Sequence, residues 1–292
     1  MPGLKDVKDK ISGVKKTAQI TKAMNMVASA KLRGAQEKMV RFRPYASKFA
    51  EAMRDLSGGI ESGDLPLMEV RDVKTVEIVV VTSDRGLCGS FNANIIKTVE
   101  RLRKQYEAEG KKVSFVTVGK KGTQAFKRSG KLRASFNDIM GSFQMFNARE
   151  ISQSITEAFL SGESDQVEVV YGKFHSVAVQ KPEHEELLPI KPLVAEGSAS
   201  AKSEVGGSYT YEPDPGEIME VLLPLFLNVQ MYHAMLEVGA SEHAARMTAM
   251  DNATRACKDM IKELTQLYNK ARQAAVTGEL MDIVGGAEAL KG

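Results

Sequence analysis

The sequence predicts an α/β protein whose two ends are long helices that pair as an antiparallel coiled coil. Three observations predict it. Apolar residues recur at alternating steps of three and four near each terminus, and between these seams lie β-branched runs that alternate with helical segments. The boundaries that follow are 1–60 for the N-terminal coiled-coil helix and 74–195 for the α/β domain. A flexible linker over 196–208 and a C-terminal coiled-coil helix over 209–292 complete the chain.

The first seam is Leu4, Val7, Ile11, Val14, Ala18, Thr21, Asn25, Ala28, Leu32, Ala35, Met39, Phe42, Ala46, Phe49, Met53, Leu56 and Ile60. Only Thr21 and Asn25 are polar, so the seam outlasts an ordinary globular helix and asks for a partner helix. Ile20, Met24 and Val27 add a second apolar stripe beside the polar steps. Pro44 removes one backbone donor and is expected to bend the helix. Gly58 and Gly59 supply the stop. At ~1.5 Å per residue such a helix is roughly 80 Å long.

In the middle, VEIVVVT (76–82), VSFVTVG (113–119) and VEVVYGKF (167–174) read as buried strands. Helical segments are expected over about 92–109, 120–128 and 147–160. That alternation predicts a small parallel sheet of Rossmann-like type. EGSASAKSEVGGS (196–208) reads as a mobile link.

The second helix opens at Asp214, a good N-cap, with Pro215 at the first helical position and Glu217 placed to complete a capping box. Its seam runs from Leu222 and Phe226 through Val229, His233, Leu236, Ala240, His243, Met247, Met250 and Thr254. It continues through Cys257, Ile261, Leu264, Tyr268 and Ala271 to Ala275. Pro224 leaves its start, or a kink, open.

Hydrophobic residues are 43% of the 292 and charged residues 26%, enough apolar content for a packed core. Tryptophan is absent and methionine reaches 15, a composition that leans toward helix-on-helix packing. Cys88 and Cys257 stand alone and suit a reducing compartment. Acids among the first lysines speak against a signal peptide, and Val221 to Leu236 reads as too short and too polar to span a bilayer. Net charge is +3, yet Lys5 to Lys48 carries twelve Lys or Arg against Asp6, Asp9 and Glu37. The front helix is a basic surface with three readings: a nucleic-acid grip, a solvated face, or a fit inside an acidic protein cavity.

The stretch TSDRGLCGSFN (82–92) follows a strand and precedes a helix, where a phosphate cradle would sit. Neither GxxxxGK[ST] nor GxGxxG is present, so a tight strand-to-helix turn with Cys88 packed inside is the better reading. His175, His184, His233 and His243 form no zinc spacing. His184, within EHEE, reads as part of a solvated acidic loop. No GxSxG occurs, and no nucleophile is paired with a base. No catalytic, cofactor or metal site is expected.

ISGVKKTAQITKAMNMVASAKLRGAQ, TSDRGLCGSFN, YEPDP, SEHAARMTAMDNAT and NKARQAAVTGELMDIVGGAEAL, in this order, resemble the gamma-subunit family of F-type ATP synthases. Asn25, Gly34 and Gly278 depart from its pattern. The resemblance implies a non-catalytic rotor. The paired helices would turn inside a ring of alpha and beta subunits. The α/β domain would sit against the epsilon subunit and the c subunits, one copy per complex. It further implies contacts at Lys22, Lys31 and Arg33 with acidic beta loops, at Arg272 and Gln273 with a polar loop, at Glu279, and at Tyr211 and Glu212 near the membrane ring. The expected location is peripheral, on the cytoplasmic side of a bacterial inner membrane. The competing readings are a nucleotide-dependent α/β enzyme and a coiled-coil nucleic-acid binder.

Overall fold

A computed structural model describes residues 4–57, 65–191 and 214–289. The expected linker, Ile60 and the Gly58–Gly59 stop lie outside them. In chain order the elements are α1 (Leu4–Ser57), β1 (Thr75–Val81), α2 (Phe91–Ala108), β2 (Lys112–Val118) and α3 (Lys120–Phe126). They continue with β3 (Leu132–Phe136), α4 (Met145–Leu160), β4 (Gln166–Phe174), β5 (Gln180–Leu188) and α5 (Pro215–Ala289). Two compact units result: residues 1–29 with 246–292, and residues 30–245.

In the first unit the two helices meet antiparallel. The Thr21 and Thr254 hydroxyls lie 2.7 Å apart, and Asn25 Nδ2 donates to the Met247 carbonyl at 2.8 Å. The two polar steps of the seam therefore answer polar groups across it, which removes the cost of burying them. Every described position of the first seam is buried or half-buried, in both units. The second seam holds as far as Ala271. Ala275 is exposed, contrary to expectation: it lies past the level of Leu4, the first described residue of α1, so no described residue faces it. Ile20 and Val27 of the second stripe are also exposed, at 61% and 57%.

In the second unit α1 continues through Pro44 and α5 through Pro224. Phe42 meets Tyr232 edge-on at 5.0 Å, and Phe49 stacks on Phe226 at 6.3 Å. Asp214 Oδ2 accepts the Gly216 N–H at 3.0 Å, satisfying a donor of the first turn. One 18-residue window of α5 has a mean hydropathy of 1.3, enough by length and composition to cross a bilayer, which corrects the reading from Val221 to Leu236 alone. Of that window 56% is buried, as in a core helix. Met231, Ala234, Met235 and Val238 are all buried in the core cluster, and Gly239 lets the Phe143 ring approach to the 3.4 Å at which a Cβ would meet it.

The sheet has order β3-β2-β1-β4-β5. Its first four strands are parallel and β5 runs antiparallel to β4. Three strands match the expected runs to within one residue. Two were not expected. Gln180–Leu188 forms β5, and His184 lies on it opposite Val170 rather than in a loop. Leu132–Phe136 forms the other edge. Glu77, within the apolar run of β1, has a side chain that is fully buried and accepts from Arg133, with Nη2 to Oε2 at 2.9 Å. The fold makes room for that charge by pairing it bidentately.

Candidate functional site

The turn after β1 lies at the place where a doubly wound sheet would hold a nucleotide: β1 leads to β2 on one side and neighbours β4 on the other. Here the start of the turn is tied to the neighbouring connections by its own groups. Asp84 accepts backbone N–H bonds from Lys120 and Asp138 at 3.0 Å and from Met140 at 2.9 Å. Ser83 O and Thr82 Oγ1 take the N–H groups of Lys121 and Gly122 at 3.2 and 2.8 Å. The first amides of α3, the neighbouring helix, are thus committed to the turn. The Phe91 ring, at the start of α2, packs directly on β4: a Cβ on Gly172 would lie 2.3 Å from it. Leu87 and Gly89 take positive φ, 62° and 59°, and Cys88 is buried. A lone glycine inside a strand pattern was the signal in the sequence for this close approach.

Polar groups elsewhere in the second unit serve packing. Glu237, 4% exposed, accepts the Phe174 N–H at 2.7 Å and lies 3.5 Å from His233 Nε2, which ties α5 to the end of β4. Tyr106 donates to Glu168, and burial together with that carboxylate pushes its hydroxyl above the usual phenol range. Among the described residues no cluster of His, Cys, Asp or Glu could hold a metal ion.

What remains for function is surface. All twelve cations between Lys5 and Lys48 are exposed. At 100° per residue, Lys31 and Arg33 project to opposite flanks of buried Leu32, and Lys22 flanks buried Thr21. Among the described residues none of these three has a carboxylate partner, whereas Lys48 pairs with Glu51 at 2.6 Å. Arg272, Gln273 and Glu279 lie on the end of α5 past Ala271, where every residue through Ala289 is exposed. Val276, Leu280, Met281, Ile283 and Val284 there are 51% to 68% exposed, and at 100° per residue they share one broad apolar face, with Glu279 and Asp282 on the other side of the helix. Tyr211 and Glu212 lie outside the described residues. The expected contact residues therefore do not converge on one pocket. They form two separate surfaces, a cationic helix and a bare apolar helix end.

The chain is similar to known proteins over its length. The pattern of a family described as ATP synthase matches residues 3–290. The ATP synthase gamma chain of Desulfotalea psychrophila is 64% identical over the full length of both chains, and that of Nitratidesulfovibrio vulgaris 54%. Among solved structures, the central stalk and c-ring of the Tetrahymena thermophila mitochondrial ATP synthase aligns with a TM-score of 0.61 at 26% identity. That alignment covers 80% of this chain and 99% of the other. A chain of the Euglena gracilis mitochondrial ATP synthase, in rotational state 3, shares the fold with a TM-score of 0.67 at 23% identity, covering 98% and 94%.

Proposed function

The chain belongs to the ATP synthase family, among its gamma chains, and from that premise we propose that it is the central rotor shaft of a proton-translocating F-type ATP synthase. The paired terminal helices turn within a ring of alpha and beta subunits. The α/β part bears on the epsilon subunit and the c-ring, peripheral to the cytoplasmic face of a bacterial inner membrane. Proton flow turns the ring and the shaft, and the asymmetry of the shaft carries three nucleotide sites on the beta subunits through different states. The chain itself catalyses nothing. The turn after β1 carries neither phosphate-binding fingerprint, GxxxxGK[ST] or GxGxxG.

The observation that carries the reading is the bare end of α5. A helix end with exposed valines, leucine, isoleucine and methionine along one broad face needs a cover for that face. An apolar sleeve covers it without hydrogen bonds that would hold one angle. Lower down, Lys22, Lys31 and Arg33 meet acidic beta loops, and Arg272, Gln273 and Glu279 meet a polar loop. Tyr211 and Glu212 lie near the membrane ring. Exposed pairs of this kind are each worth only ~0.2–1 kcal/mol, so they steer without locking.

The test is the complex purified from membranes. It is expected to contain alpha, beta, epsilon and c subunits with one copy of this chain. Neutralising Lys22, Lys31 and Arg33 together is expected to leave assembly intact and to change the protons pumped per ATP hydrolysed, less so at high salt. A complex lacking alpha and beta, or loss of assembly on Lys31→Ala alone, contradicts the reading.

A further inference from the structure

A second basic surface lies on the α/β part and has no role in the account so far. Residues 91–133 carry twelve Lys or Arg against Glu100, Glu107 and Glu109, a net +9. The acids are already used. Glu100 and Glu107 hold Arg103, Glu107 also holds Lys131, and Glu109 holds Lys111. Lys97, Arg101 and Lys104 are left on one exposed face of α2, at i, i+4 and i+7. Lys127 and Arg128 follow α3 and are exposed too. Among the described residues none of these five has a carboxylate partner.

Topology gathers them. α2 joins β1 to β2 and α3 joins β2 to β3, two parallel crossovers in the same direction, so both helices cover one face of the sheet. They contact each other. Both run back toward the amino ends of the strands, which sets the second half of α2 level with the end of α3. α4 crosses the opposite way and covers the other face. The α2–α3 layer is therefore a single outward cationic surface. It includes a shallow recess of about 400 Å³ lined by Lys97, Thr98, Glu100, Arg101 and Lys104.

We propose that the α2–α3 face, through Lys97, Arg101, Lys104, Lys127 and Arg128, docks an acidic protein surface. A lipid surface would ask for an apolar anchor among the cations, and no large hydrophobic residue of α2 or α3 is among the exposed ones. A nucleic acid would ask for aromatics to stack on, but Phe91, Tyr106 and Phe126 are buried. What the face offers is charge alone, displayed on rigid helices, and the complement of that is a set of protein carboxylates.

Zero-length carbodiimide coupling of the intact, unsubstituted complex, read by mass spectrometry, tests this independently of the rotor reading, because the lysines of α1 report on that reading in the same sample. Amide links from Lys97, Lys104 or Lys127 to Asp or Glu of another polypeptide are expected. Lys97→Gln, Arg101→Gln and Lys104→Gln together are expected to weaken retention of that polypeptide by about tenfold at low salt and little at high salt. Links from Lys22 or Lys31 with none from the α2–α3 lysines would overturn the proposal and leave the rotor reading standing. Loss of binding to phosphatidylglycerol vesicles in the triple variant, with no protein link, would overturn it in favour of a lipid surface.

Discussion

At the scale of single residues, buried polar groups decide most of what the α/β part tolerates. Glu77 is held by Arg133 alone among charged side chains. Arg133→Leu leaves a carboxylate buried without its cation and is expected to cost about 3–5 kcal/mol, whereas Glu77→Leu with Arg133→Leu is expected to be nearly neutral. Urea midpoints of the two variants check that asymmetry. Tyr106 gives a pH-dependent counterpart. Burial, then the Glu168 hydrogen bond, raise its folded pKa above the usual phenol range. Its contribution is full below pH ~10 and is lost as pH rises past the unfolded value. Thermal midpoints are expected to fall on going into alkali, and less steeply for Tyr106→Phe. Neither group stood out in the sequence. A glutamate inside VEIVVV gives no sign of its partner fifty-six positions later, and pairing across the sheet is set by topology rather than by local pattern.

The helices were legible as elements because their apolar period survives in one dimension. Thr21 answers Thr254 and Phe49 answers Phe226 on the facing helix, so both halves of those contacts were visible in the sequence. The edge strands were not. In QKPEHEELL the charges and Pro182 that keep an edge from pairing with other chains also erase the alternation by which a strand is read. LRASF is too short to show one. The free end of α5 was read as seam through Ala275 because periodicity says nothing about where the partner begins. Two substitutions test the helix pair. Leu264 sits half-buried on the seam, and Leu264→Asp is expected to cost several kcal/mol by burying an unpaired charge; native electrophoresis should show no stable assembly. Gly34 lies mid-helix with nothing within 4 Å of an added Cβ. Gly34→Ala is therefore expected to stabilise by about 0.5–1 kcal/mol, read as a raised thermal midpoint.

For the whole molecule, the two surfaces require different behaviour from their surroundings. Exposed cations make weak, screenable contacts, and an apolar helix face makes contacts without direction, so both suit a part that turns against what covers it. A site that binds a ligand would instead converge its groups; the polar groups that converge at the turn after β1 bond to the chain itself. The central claim is rotation of this chain against the alpha and beta subunits. It is tested most directly by fixing the alpha and beta ring of the intact complex to a surface and coupling a visible probe to this chain at a cysteine placed at exposed Lys112. Added ATP is predicted to turn the probe continuously in one direction, with a rate that follows hydrolysis. Hydrolysis at the normal rate with the coupled probe stationary would contradict the account.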